Sequence, residues 1–411
     1  MADHRKAVTV RHLTRRSFAA TAAASVLSLA LTKAGAEAAP RRSVPQMRGM
    51  WLATVTNRDW PSAPGLSADK QRQELLDLLD VAVERKLNAV MFQVRPAADA
   101  FWPSTYEPWS AYLTGTQGED PGWDPLGTAL REAHDRGLEL HAWFNPYRIA
   151  NTTDTSRLTS GHPARRNPDW TVPYGGKLYY NPGLPEVRRF VQDAMIDAVE
   201  RYAVDAVHWD DYFYPYPVSG ETFDDADAYR QHGGDFQDLA SWRRNNIDLL
   251  VQETADRIKA TRPGVRFGIS PFAVWRNHGT DPLGSSTTAG VQTYDDLYAD
   301  TRGWVRKGWI DYIAPQVYWN IGLAAADYAE VVRWWSGVVD GTDVDLYIGE
   351  ALYKASATGQ PAAWQDPDEL SRHLALDAEH PQVRGNIWFA AKDVAADPIG
   401  AMSRVVSEHY G

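Results

Sequence analysis

The densest chemistry in the chain lies in His208-Trp209-Asp210-Asp211-Tyr212-Phe213-Tyr214-Pro215. Two adjacent carboxylates end an apolar stretch and run straight into aromatic residues. Enzymes that split glycosidic bonds use two carboxyl groups flanking the bond, one as acid and the other as nucleophile or base. If Asp205–Asp210 is a strand, alternation turns Val207 and Trp209 outward and His208 and Asp210 inward. Asp210 is therefore expected as nucleophile or base. Asp211 points the other way, and orients substrate, acts as second carboxylate or caps the next segment. Paired aspartates at a strand end also occur as plain turn chemistry. The acid is left open among Glu350, Asp99 and Asp211. Glu350 ends Leu346-Tyr347-Ile348-Gly349-Glu350 and faces inward if Ile348 does; Asp99 follows Arg95-Pro96 in a loop.

Other residues with hydroxyl-binding or ring-stacking chemistry sit at or near the ends of apolar runs. The guanidinium forks are Arg95, Arg148 and Arg276, and the amides are Asn145 and Gln316. The flat rings are Trp143, Tyr147, Tyr212, Trp275, Tyr318 and Trp319, and Lys354, His141 and His208 complete the substrate-binding set with Asp99. His208 and Asp210 share one side of their strand, and His141 could add a ligand. A catalytic zinc takes about three protein ligands, and this set is not read as one. The Gly-x-Ser-x-Gly elbow of serine hydrolases is missing, and no motif calls for a cofactor.

Eight apolar runs must position these groups: Arg48–Val55, Leu87–Arg95, Glu139–Asn145, Asp205–Asp210, Phe267–Pro271, Asp311–Tyr318, Leu346–Glu350 and Gly385–Phe389. Amphipathic stretches separate them, with Leu75, Leu78, Leu79, Ala82 and Val83, and then Val187, Phe190, Val191 and Ala194, at helical spacing. Eight strands alternating with helices predict an α/β protein, a (β/α)8 TIM barrel forming a single domain. A doubly wound sheet would carry a Gly-rich phosphate loop after its first strand, and none is present. Alternation turns Gln93 and Arg95, then His141, Trp143 and Asn145, then His208 and Asp210, then Gln316 and Tyr318 toward the axis. Such barrels keep their active sites at the C-terminal strand ends.

Composition narrows the partners. A net charge of −11 argues against nucleic acid, whose phosphates need a basic surface. The chain has no cysteine, which excludes disulfides, thiolate metal sites, a cysteine nucleophile and a lipid-anchored export signal. Its 17 Trp and 19 Tyr suit both a large core and the stacking of sugar rings. Thr14-Arg15-Arg16-Ser17-Phe18, an apolar run from Ala19 to Leu31 and small residues at Ala34–Ala39 have the order of a twin-arginine signal peptide. Residues 1–39 are read as that signal and 40–411 as the barrel, with cleavage between Ala36 and Arg41. The expected product is secreted, with no membrane span.

The chain resembles the bacterial glycosyl hydrolase-like family ten. The resemblance rests on Met47-Arg48-Gly49-Met50-Trp51, Phe92-Gln93-Val94-Arg95-Pro96, Gly137-Leu138-Glu139-Leu140-His141-Ala142-Trp143-Phe144-Asn145-Pro146-Tyr147-Arg148, Asn181-Pro182-Gly183, His208 to Pro215, Phe267-Gly268-Ile269-Ser270-Pro271-Phe272 and Ile313-Ala314-Pro315-Gln316-Val317-Tyr318-Trp319. It runs from about Arg48 to about Trp388. It implies a glycosidase-like barrel, often exported, acting on bacterial cell-wall glycan, with some members acting on peptidoglycan strands stripped of peptide. The family's acidic strand-end motif falls on Asp210 and Asp211, whereas Glu350 is not a position the resemblance marks. A hydrolase of another extracellular polysaccharide and a non-catalytic glycan-binding barrel are the alternative readings.

Overall fold

The computed structural model describes residues 46–411; the twin-arginine segment lies outside the described residues. The strands are β1 (Met47–Leu52), β2 (Ala89–Arg95), β3 (Glu139–Phe144), β4 (Arg148–Ala150), β5 (Thr171–Tyr174), β6 (Lys177–Tyr180), β7 (Ala206–Trp209), β8 (Arg266–Ile269), β9 (Tyr312–Ile313), β10 (Asp345–Glu350) and β11 (Val383–Phe389). Eight of them close a barrel in the order β1-β2-β3-β7-β8-β9-β10-β11, with every neighbouring pair parallel. The TIM barrel anticipated from the alternation is therefore present. A small antiparallel sheet, β4-β6-β5, rises from the loop after β3 and has no counterpart in the sequence reading.

Helices pack between successive strands for local reasons. Ser67 caps Ala68–Glu84 by accepting from the Lys70 N–H, and that helix buries Leu75, Leu79 and Ala82. Asp238 caps Leu239–Thr261 in the same way. Proline opens Pro185–Arg201, where its missing N–H costs nothing. No helix among the described residues is long and apolar enough to cross a membrane.

Strand alternation divides the core in two. Val90, Phe92, Leu140, Phe144, Val207, Ile313 and Ile348 pack outward with the helices. Met91, Trp143, Tyr312, Tyr347 and Ile387 fill the interior with Trp51. Gly268 lets the Tyr312 ring lie across the axis, since a Cβ there would stand 2.0 Å from that ring. Gly268→Ala should therefore destabilise the barrel by about 3 kcal/mol, the upper range for overpacking; an unchanged thermal unfolding midpoint would refute this packing account.

Six barrel strands are shorter than the sequence suggests, and two of these bear directly on the site. The sixth barrel strand pairs continuously only at Tyr312–Ile313, because Pro315 has no N–H for a ladder. Gln316 resumes contact through isolated bridges to Phe272 and Gly349. The fourth ends at Trp209, and the chain bends at Asp211.

Candidate active site

A pocket of about 250 Å³ opens at the C-terminal mouth of the barrel. Trp51, Ala53, Val55 and Arg58 line it from β1 and the turn after it, and Gln93 from β2. Trp143 and Arg148 come from β3 and its loop, Asp210, Asp211, Tyr212 and Tyr216 from the end of β7. Ser270 follows β8, Gln316 and Tyr318 follow β9, and Phe389 ends β11.

Asp210 is held by a relay of amides. Its Oδ2 accepts from Asn145 Nδ2 at 2.6 Å and Trp143 Nε1 at 3.2 Å, and its Oδ1 accepts from the Tyr212 N–H at 3.2 Å. Asn145 Oδ1 accepts from Gln93 Nε2 at 2.6 Å and from an Arg148 nitrogen at 3.1 Å, so its amide can only turn the NH2 toward Asp210. Gln93 is fixed in turn, because its Oε1 accepts the N–H groups of Thr54 and Val55 at 2.9 Å each.

Asp211 corrects the sequence reading, which turned it away from Asp210. Because β7 ends at Trp209, two-residue alternation no longer applies, and both carboxylates line the one pocket. Asp211 accepts from Gln316 Nε2 at 3.0 Å and from the Tyr216 hydroxyl. Burial, and then the charge of Asp211, push Asp210 up to about 7. Burial also raises Asp211, against the hydrogen bonds of Tyr216 and Gln316. Of the two, Asp210 keeps a proton near neutrality. Its Oδ1 has only the Tyr212 N–H as partner and is the oxygen free to carry it.

Glu350 is a second correction. Ile348 packs outward, so Glu350 does too, and it lies fully buried behind the barrel wall. It accepts from Tyr328 Oη at 2.6 Å and Asn386 Nδ2 at 3.0 Å, and meets His373 Nδ1 at 2.9 Å. It does not line the pocket. Neither does Asp99, a buried carboxyl folded back on the Ala97 N–H at 3.1 Å and pushed up to about 7 by burial.

His141 and His208 lie below the pocket, with no exposed surface. The indole N–H of Trp51 can only donate, and it donates to His208 Nε2 at 2.9 Å. His208 must then carry its hydrogen on Nδ1 and donate it to Tyr312 Oη at 2.9 Å. Tyr312 donates onward to His141 Nδ1 at 2.9 Å, and His141 Nε2 donates to Glu139 at 3.0 Å. Burial holds His208 well below its ordinary range, in keeping with a neutral ring. The two histidines thus fix Trp51 rather than touch a ligand in the pocket.

Several other expected ligands are also engaged elsewhere. Arg95 is completely buried, bidentate on Glu107 at 2.6 Å and donating to the carbonyls of Asn145 and Pro146. It holds the backbone that presents Asn145. Tyr147 is buried in the outer core. Trp275 donates to Asp300 at 2.9 Å, and Arg276 is shared between Asp295 and Asp281. Both brace the loop after β8, outside the pocket lining. Trp319 packs edge-on against Phe272, and Lys354 donates to the Tyr318 carbonyl at 2.6 Å from behind that residue. From the expected set the pocket brings together Asp210, Asp211, Trp143, Arg148, Tyr212, Gln316 and Tyr318, with Asn145 directly beneath.

Trp51, Arg58, Gln93, Tyr216, Ser270 and Phe389 were not in that set. Gln93 was legible from strand alternation. Arg58 carried no signal: it stands in the turn after β1, paired with Asp59 at 2.7 Å and with the distant Asp393 at 3.1 Å, its guanidinium 4.5 Å from the Phe389 ring centre.

A parallel barrel whose mouth holds a carboxylate pair walled by aromatic rings defines a protein of the glycoside hydrolase class. The family model described as Glycosyl hydrolase-like 10 matches residues 46–366, and the chain belongs to that family. Glycosyl hydrolase YngK from Bacillus subtilis (strain 168) is 50% identical over 367 residues, covering 89% of this chain and 72% of that protein. Glycosyl hydrolase DigH from Escherichia coli (strain K12) is 42% identical over 376 residues, covering 86% and 84%. The glycoside hydrolase domain of PgaB (BpsB) from Bordetella bronchiseptica superposes with a TM-score of 0.56 at 13% identity, covering 88% of this chain and 98% of that domain. That last likeness is one of fold alone.

Proposed function

We propose that this glycoside hydrolase cleaves the glycan strands of bacterial peptidoglycan outside the cytoplasm, by carboxylate acid chemistry at Asp210 and Asp211. The observation that carries the reading is the pair of buried carboxylates in one pocket, each held by its own donors. Asp210, protonated near neutrality, gives its proton to the departing glycosidic oxygen. Asp211, ionised, faces the positive charge that develops on the sugar ring. Trp51, Trp143, Tyr318 and Phe389 make up the aromatic part of the lining, against which the apolar side of a sugar ring can pack. The pocket is smaller than the roughly 300–1,000 Å³ of drug-sized sites, which suits one sugar ring of a longer chain. The peptidoglycan assignment draws support from the family resemblance, and export from the twin-arginine pattern at Arg15-Arg16.

The test is a digest of peptide-bearing and peptide-stripped glycan strands, read by mass spectrometry beside an Asp210→Asn control. Sugar fragments released by the wild type alone are the expected result. Intact strands of both kinds would reject peptidoglycan and turn the search to other polysaccharides. N-terminal sequencing of the protein recovered outside the cell should begin between Ala36 and Arg41; recovery of the intact chain inside it would reject export.

A further inference from the structure

Asp210 and Asp211 are the only carboxylates in the pocket lining among the described residues. They are consecutive and stand on one wall. In the closed order of strands, the wall across from β7 is β11, beside β1. That side offers Phe389, Trp51 and Arg58, with no carboxylate. An inverting enzyme needs a base on the face of the sugar opposite the leaving group, and an ordinary retaining one needs a carboxylate nucleophile there. Nothing on that wall supplies either, so the nucleophile must come from elsewhere.

Resting on the reading of the protein as a peptidoglycan glycosidase, we propose that the nucleophile is the substrate's own 2-acetamido group, with Asp211 accepting its N–H and Asp210 serving as acid and then base. In the first step the acetamido carbonyl oxygen bonds to C1. The C1–O bond to the leaving sugar breaks with its electron pair on that oxygen, which takes the Asp210 proton. The resulting oxazolinium keeps its N–H on Asp211. In the second step water adds to C1 and gives a proton to Asp210, while the bond from C1 to the acetamido oxygen breaks and restores the amide. One water is consumed and Asp210 ends protonated, as it began. Each step inverts C1, so the product retains its configuration.

The hydrogen bonds suit this division of labour. Asp211 is fixed by two uncharged donors, Gln316 and Tyr216, and Tyr216 itself lines the pocket. Asp210 is fixed through Oδ2, which leaves Oδ1 for the mobile proton. Burial and the neighbouring charge that keep Asp210 protonated support the same assignment. The substrate class that follows is a polymer with an N-acetylated 2-amino sugar at the cleaved bond.

The experiment compares peptide-free peptidoglycan strands with the same strands after N-deacetylation, following reducing ends and, by proton NMR, the anomer first formed. Cleavage of the acetylated polymer with retention, and cleavage at least about 100-fold slower after deacetylation, is the expected result. Because deacetylation also adds charge, 4-nitrophenyl glycosides bearing mono-, di- and trifluoroacetamido groups are run beside them. Their rates should fall stepwise as the carbonyl oxygen becomes less nucleophilic. Equal cleavage of both polymers, an inverted product, or rates indifferent to fluorination would overturn the inference and leave the glycosidase reading standing. Cleavage of neither polymer would overturn the peptidoglycan reading, and the inference with it.

Discussion

Asp210→Asn should lower kcat/KM on peptide-free glycan strands about 1,000-fold, or about 4 kcal/mol of transition-state stabilisation, with the fold intact. The amide has the shape of the carboxyl and its oxygen can still accept from Asn145 and Trp143, but it has no proton to give. Two further readouts separate an acid from a structural residue. The loss should be much smaller on a substrate with a 4-nitrophenolate leaving group, which departs without protonation. The wild type should lose activity as pH rises through about 7, where Asp210 gives up its proton, and the residual activity of the variant should lack that limb. Stability should move the opposite way. A carboxyl raised in the folded chain contributes stability that is present at low pH and lost as pH rises through its folded value. The variant should therefore match the wild type near pH 4 and exceed it near pH 8. An Asp210→Asn enzyme with unchanged activity on strands would remove Asp210 from the mechanism.

Glu350→Ala should be the most destabilising change available at a residue the sequence offered as catalytic. Glu350, His373, Asp377, Tyr328 and Asn386 form a buried polar cluster between the barrel wall and the helices. Burial opposes the charge on His373, but Glu350, by charge and hydrogen bond, and then Glu369 raise the ring to about 9. Removing Glu350 leaves that buried cation with Glu369 alone, 3.3 Å from its other nitrogen, at a cost of about 3 kcal/mol, the low end for a broken buried pair. Burial and then Glu350 raise Asp377 to about 8. Both groups bind their protons more tightly in the folded than in the unfolded chain. What these two groups contribute is therefore fully present at acid pH. The Asp377 part declines from the ordinary carboxylate range up to about 8, and the His373 part from the ordinary histidine range up to about 9. Denaturation of Glu350→Ala and His373→Ala across this range should show the loss and a flattened pH dependence. Activity per folded molecule should stay near wild type at low temperature. A Glu350→Ala enzyme that is stable but dead would return Glu350 to the list of candidate acids.

The eight barrel strands were readable in the sequence because alternation is a local property. Val90 and Phe92 against Gln93, or Leu140 and Ala142 against His141 and Trp143, declare their faces within one strand, and the closed barrel follows from eight such strands with helices between. The same rule turned Asp210 into the pocket, though as a nucleophile or base and not as the acid we propose, and showed how Glu350 would be settled: it depended on Ile348, and Ile348 packs outward. What the sequence could not determine lies where the strand ends or where partners are remote in the chain. Asp211 joins Asp210 because β7 stops at Trp209 and the chain bends, so a period of two no longer governs its direction. Arg95 looked like a ligand fork until Glu107 and the carbonyls of Asn145 and Pro146 consumed its donors. Likewise, His141 and His208 face the axis as alternation requires, but the depth at which Tyr312 and Trp51 meet them is set by register between strands. Direction within an element is local chemistry, whereas depth in the barrel and the identity of a hydrogen-bond partner belong to packing, and only the tertiary structure decided them.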